Sequence, residues 1–166
     1  MVVATKKFAH PDFDKVIMYF RGRSSRSLDP KGRLMLPPDM REIINAASAE
    51  GKIVLTTYDE CVVGFPMLDW QEFEDKMNRI KNPARNVRDF RRRVLGGAEV
   101  MPLDGQGRIR LSKEHTLYAG IEREVILLGQ GRRLEIWSPE RLASVLDQDF
   151  DDVARHIAET GIDCVF

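Results

Sequence analysis

Two short segments carry the residue types best suited to recognition chemistry, Asp29-Pro30-Lys31-Gly32-Arg33 and Asp104-Gly105-Gln106-Gly107-Arg108. Each sets a carboxylate four residues ahead of a guanidinium. An Asp side chain accepts hydrogen bonds from the amides that follow it, Pro presets φ, and Gly adopts positive φ, so each segment predicts a tight reversal. Such a turn exposes Lys31 or Gln106 at its tip and lets Arg33 or Arg108 project from the strand that follows. Pairing of Asp29 with Arg33, and of Asp104 with Arg108, holds each guanidinium in place. A held Arg meets phosphate or guanine with two parallel hydrogen bonds, which points to nucleic acid. Asp29, Gly32, Asp104 and Gly107 are then turn and orientation residues, because a carboxylate repels phosphate. A single D-x-x-x-R also serves simply to staple a hairpin, so the weight rests on its duplication and its cationic surroundings.

Those surroundings are hidden by an even balance. The 166 residues hold 26 Lys and Arg against 26 Asp and Glu. Residues 1–96 carry 18 basic and 13 acidic side chains, whereas residues 97–166 carry 8 and 13. Arg21, Arg23, Arg26 and Lys31 flank the first turn, and Arg110 and Lys113 follow the second. A second basic run spans Arg79 to Arg93, and the acids gather after Leu146. Blocks of this kind create local potentials that net charge conceals.

The chain predicts no enzyme, metal site, cofactor or small-molecule substrate. His10, His115 and His156 lack metal-ligand spacing, and neither a G-x-S-x-G elbow nor a phosphate-binding glycine loop occurs. His115, in the helical turn Ser112 to Ala119, is expected to be solvated or to act in capping. Cys61 falls inside an apolar strand pattern and reads as core, and with Cys164 it forms no C-x-x-C, so a reducing cytosol is expected. No apolar run approaches the ~20 residues of a membrane span, and Met1 to Met18 does not read as a signal peptide.

An internal repeat supplies the elements that must position the turns. Leu28 to Leu36 matches Leu103 to Leu111 as L-D-x-x-G-R-[LI]-x-L at an offset of 75. Lys52 to Leu55 then matches Glu124 to Leu127, and Val62 to Phe65 matches Leu134 to Trp137, at an offset of 72. Strands are expected at Leu34–Leu36, Ile53–Thr57 and Cys61–Phe65, and at Ile109–Leu111, Glu124–Leu128 and Arg133–Trp137. Tyr58 to Glu60 and Gly129 to Arg132 are hairpin loops. A helix follows the last strand of each copy, capped in the second by Ser138-Pro139-Glu140, and Glu72/Lys76 and Asp75/Arg79 are expected ion pairs. A further helix is predicted from Pro83 to Leu95. The chain therefore divides into an extension (1–19), a first repeat (20–70), a helical connection (71–95), a second repeat (96–142) and an acidic tail or helix (143–166).

The two L-D-x-x-G-R segments, the preceding Tyr19-Phe20-Arg21-Gly22, Asn82-Pro83-Ala84-Arg85, Gly96-Gly97-Ala98-Glu99 and Gly129 to Trp137 together resemble the MraZ family of bacterial transcriptional regulators. The resemblance runs from about Met18 to the helix after Trp137. It implies an α+β fold of two fused AbrB-like, swapped-hairpin β units sharing a core, with helices packed at the periphery. It also implies ring-shaped homo-oligomers that bind double-stranded DNA at direct repeats upstream of division and cell-wall genes, in the cytoplasm and on the nucleoid. Carried onto this chain, DNA contact falls to Arg33 and Arg108, with Lys31, Arg21, Arg23 and Arg110 around them. A scaffold or antitoxin-like protein-binding module is the competing reading. Gln106 in place of Lys31, and Ser112 in place of Pro37, make the copies unequal, with the first dominant electrostatically.

Overall fold

The computed structural model describes residues 18–163. The first copy contains β1 (Arg23–Ser27), β2 (Arg33–Met35), α1 (Pro38–Ala47), β3 (Lys52–Tyr58), β4 (Cys61–Pro66) and α2 (Met67–Asn78). Helix α3 (Arg85–Val94) connects it to β5 (Glu99–Pro102), β6 (Arg108–Arg110), α4 (Lys113–Ala119), β7 (Glu124–Gln130), β8 (Arg133–Trp137), α5 (Pro139–Leu146) and α6 (Val153–Glu159). The extension upstream of Met18, and Cys164, lie outside the described residues.

Local chemistry accounts for these boundaries. In β3, Ile53, Val54 and Leu55 are all buried, so the strand is apolar on both faces, as a central strand must be. Asp59 and Glu60 close the β3–β4 hairpin with φ of 50° and 65°, the positive pair that matches a two-residue turn to strand twist. Ser112 and Ser138 accept hydrogen bonds from the amides of His115 and Arg141, capping α4 and α5. Gly120 ends α4 at φ 63°.

The antiparallel sheet has the order β1-β7-β8-β4-β3-β5, and β2 pairs with β6 as a separate two-stranded ribbon. Each copy thus lends its first strand to the other: β1 adds to β7 and β5 adds to β3. The register obeys a pseudo-two-fold axis. Leu34 opposes Ile109 and Val63 opposes Glu135, both pairs of repeat-equivalent positions. Ser27↔Glu124 maps onto Pro102↔Lys52. The swapped-hairpin architecture implied by the family resemblance is therefore present, with the two units inseparable because neither completes its sheet alone.

Strand alternation divides the interior. Ile53, Leu55, Val62, Leu127, Leu134 and Ile136 face the ribbon and pack with Leu34, Leu36, Ile109 and Leu111. Val54 faces the other way, onto Trp70 of α2 and Val94 of α3, while Cys61 and Val63 meet Trp137 and Leu142 of α5. The ribbon and the α2, α3 and α5 helices consequently cover opposite faces of one sheet.

Several features depart from the sequence expectations. Helix α1 and strands β1 and β5 were not expected. Pro37-Pro38 reads as a breaker, yet Pro38 occupies the first helical turn, where its missing N–H costs nothing. β1 is Arg-Ser-Ser-Arg-Ser, with no apolar alternation, and becomes a strand only through pairing with β7. His115 is not solvated: it is 1% exposed, its Nε2 3.4 Å from the Gly97 carbonyl oxygen and 3.7 Å from Glu99 Oε1. The Glu72–Lys76 pair forms at 2.7 Å, but no Asp75–Arg79 ion pair occurs among the described residues. Arg79 instead closes α2 through its backbone amide, which donates to the Asp75 carbonyl.

Candidate nucleic-acid interface

Both D-x-x-x-R segments form the same clamp. Asp29 Oδ1 accepts the amides of Lys31 and Arg33, each at 2.9 Å, and Oδ2 accepts Arg33 Nε at 2.6 Å. Asp104 Oδ1 accepts the amides of Gln106 and Arg108, each at 2.9 Å, and Oδ2 accepts Arg108 Nε at 2.7 Å. Gly32 and Gly107 supply φ of 74° and 79°, and their amides donate to the Asp29 and Asp104 carbonyls. The clamp amides hold both carboxyls below the ordinary Asp range, with the Arg33 and Arg108 amides the largest causes and the guanidiniums adding to them. For Asp104 the value falls to about 2.

Pairing of β2 with β6 brings the two clamps side by side. Arg33 opposes Arg110, Met35 opposes Arg108, and Leu34 and Ile109 between them point into the core. The outward face of the ribbon therefore presents Arg33, Arg108 and Arg110 with Met35. The clamps touch, since Arg108 Nη1 lies 3.9 Å from Asp29 Oδ2. The Leu36 amide donates to the Gly107 carbonyl and the Leu111 amide to that of Gly32, which fixes each turn against the other copy.

The cations on this face are not equivalent. Arg33 and Arg108 are half-buried and spend Nε on their own Asp, which leaves the far end of each fork to reach outward. Arg110 is exposed, and its side chain makes no hydrogen bond or ion pair among the described residues. Lys31 is exposed at its tip, opposite in role to neutral Gln106. Arg21 and Arg23 are exposed but sit at the far end of β1, beside the β7–β8 hairpin, and do not join the ribbon. The sequence reading missed Arg41. Its side chain lies across Gly107, so close that a Cβ there would overlap it, and its Nε has no hydrogen-bond partner. The repeat-equivalent of Arg41 is Thr116, so this cation belongs to one turn only. No local signal marks Arg41, because its contact crosses from one copy to the other.

The basic run of α3 stands elsewhere, on the opposite face of the sheet from the ribbon. Cys61 is fully buried, and burial pushes its thiol far above the ordinary range, so it is inert core. Among the described residues no helix is long and apolar enough to cross a membrane.

Comparison with known proteins places this geometry in context. The family model described as "MraZ protein, putative antitoxin-like" matches twice, over residues 19–93 and 94–164. The protein named transcriptional regulator MraZ of Nitratidesulfovibrio vulgaris strain Hildenborough is 60% identical over 149 residues, 90% of this chain and 100% of that protein. Its counterpart in strain Miyazaki F is 58% identical over 146 residues, covering 88% and 98%. A protein of the same name from Lactobacillus helveticus is 34% identical over 142 residues, covering 83% and 96%. With both repeats matched and full-length relatives this similar, the chain belongs to the MraZ family.

Proposed function

We propose that this chain is a sequence-specific, DNA-binding transcriptional regulator whose β2–β6 ribbon enters the major groove. The observation that carries the reading is the clamped, side-by-side placement of the two D-x-x-x-R turns. A two-stranded ribbon suits a groove about 12 Å wide. Arg110, with the free ends of Arg33 and Arg108, reads base edges, and Lys31 and Arg41 take flanking phosphates. Arg21 and Arg23 reach only backbone outside the groove. Asp29 and Asp104 act as positioning residues. The relatives named as transcriptional regulators support the regulatory role.

One ribbon neutralises few phosphates, and each contributes only about −0.9 to the slope of log affinity against log salt. Tight binding therefore needs several copies acting together, which raises avidity by about 10²–10⁴. A ring-shaped homo-oligomer on evenly spaced direct repeats supplies that multiplication. The targets proposed from the resemblance are repeats upstream of division and cell-wall genes, including the protein's own operon, which places it on the nucleoid. A footprint on the DNA upstream of its own gene tests this. Several protected repeats at even spacing, lost in Arg110→Ala with circular dichroism unchanged, support the reading. Absence of protection at low salt overturns it in favour of a scaffold or antitoxin-like role.

A further inference from the structure

The arginines of α3 and the acids after Leu146 are the two strongest charge blocks outside the ribbon, and among the described residues of one chain no ion pair or hydrogen bond joins them. Helix α3 carries Arg85, Arg88, Arg91, Arg92 and Arg93 against Asp89 alone. Its apolar side is occupied: Phe90 packs edge-on to Tyr58 at 5.5 Å, and Val94 is buried beneath it. Arg91 donates to Asn78 Oδ1, and Arg93 lies 5.0 Å over the Tyr118 ring. Arg85, Arg88 and Arg92 remain, at a spacing that puts them on one helix face. Arg85 and Arg92 share the single carboxylate of Asp89, at 3.8 and 2.5 Å, with side chains 88% and 69% exposed. Arg88 reaches only the Pro83 carbonyl.

Residues 147–163 hold Asp147, Asp149, Asp151, Asp152, Glu159 and Asp163 against Arg155. Beyond Asp147, every hydrogen bond and ion pair among the described residues is made within this segment, as between Arg155 and Asp152 at 2.9 Å. It also exposes Phe150, Val153 and Ile162, so it carries apolar as well as acidic groups that no other described residue buries.

We infer that the acidic segment of one copy docks on the Arg85–Arg88–Arg92 face of α3 in a second copy. A basic patch and an acidic patch at different places on the same chain make a head-to-tail contact, which propagates from copy to copy and closes into a ring if the rotation allows. The contact gives the proposed assembly an interface remote from the ribbon, since α3 covers the opposite sheet face. It rests on self-association in that proposal and not on DNA binding.

Sedimentation of the full chain and its charge-reversal variants, over a concentration series, tests the contact. Arg85→Glu/Arg88→Glu/Arg92→Glu, and separately Asp149→Lys/Asp151→Lys/Asp152→Lys, should each weaken association about tenfold or more. Combining the two sets should restore it, and about 1 M salt should weaken the unaltered chain in the same way. Restoration by the combined variant excludes misfolding as the cause. The inference is overturned if either set alone leaves association unchanged, or if the combination fails to recover it. It is also overturned if the α3 set abolishes DNA binding while the tail set leaves assembly intact, for then α3 faces nucleic acid. Failure of the DNA reading is registered separately, by Arg110→Ala retaining full DNA affinity.

Discussion

The two turns share a clamp and differ in almost everything around it. Asp29 and Asp104 make the same three hydrogen bonds to within 0.1 Å. Yet in the repeat alignment Lys31 corresponds to Gln106, Met35 to Arg110, and Arg41 to Thr116. The clamp is what the fold requires of both copies, because each turn is also hydrogen-bonded to the other copy at Leu36 and Leu111. The side chains that reach outward are free to differ. The sequence reading expected the first copy to dominate electrostatically. Lys31 and Arg41 come from the first copy and Arg110 from the second; Arg110 stands opposite Arg33 in the ribbon, and Arg41 lies against Gly107.

The largest effects should test the shared part. Leu34 and Ile109 oppose one another at the pseudo-axis, 0% and 1% exposed. Leu34→Ala and Ile109→Ala should each cost about 2–5 kcal/mol in denaturant unfolding, and by similar amounts. Very unequal costs would mean that the axis is only topological. Next comes the difference between the copies. Arg110→Met copies the first turn's residue into the second and should weaken specific DNA binding about 10- to 100-fold, as loss of one base contact does. Met35→Arg should act in the opposite sense, and equal affinities for all three proteins would remove the ribbon's outer face from recognition.

A smaller effect is expected at the tips. Lys31→Ala should lower the magnitude of the salt slope by about 0.9 per bound protomer, with Gln106→Lys raising it by as much. The smallest concerns acid. Folded-state values for Asp29, Asp104 and Glu72 lie below the ordinary range, so their stabilisation is complete above pH ~5. It should be lost as pH falls through the folded values, about 2 for Asp104 and for Glu72. Thermal melts between pH ~5 and ~2 should show the decline, and Asp29→Asn/Asp104→Asn should flatten it.

The clamp and most strands were legible because their determinants are local. Asp, Gly and Arg at fixed spacing specify a turn, and runs such as Ile53 to Thr57 specify a buried strand. What was not legible depends on the other copy. Strand β1 contains no apolar residue, so its identity comes from the hydrogen bonds of β7. Arg41 enters the candidate site only because the ribbon carries Gly107 beneath α1. His115 looked polar and exposed, yet the position equivalent to Met40 is core in both copies. The charge run of α3 was visible, but only strand alternation in β3 shows that it lies on the face away from the ribbon.

That separation gives the most direct test of the central claim, that the ribbon and not the basic helix holds DNA. The salt dependence of operator binding should be measured for Lys31→Ala/Arg110→Ala and for Arg85→Ala/Arg88→Ala, at protein concentrations where both remain assembled. The slope should be smaller by about 0.9 for each lost phosphate contact, with a large loss of affinity, in the ribbon variant alone. An unchanged ribbon variant beside a flattened slope in the α3 variant would contradict it.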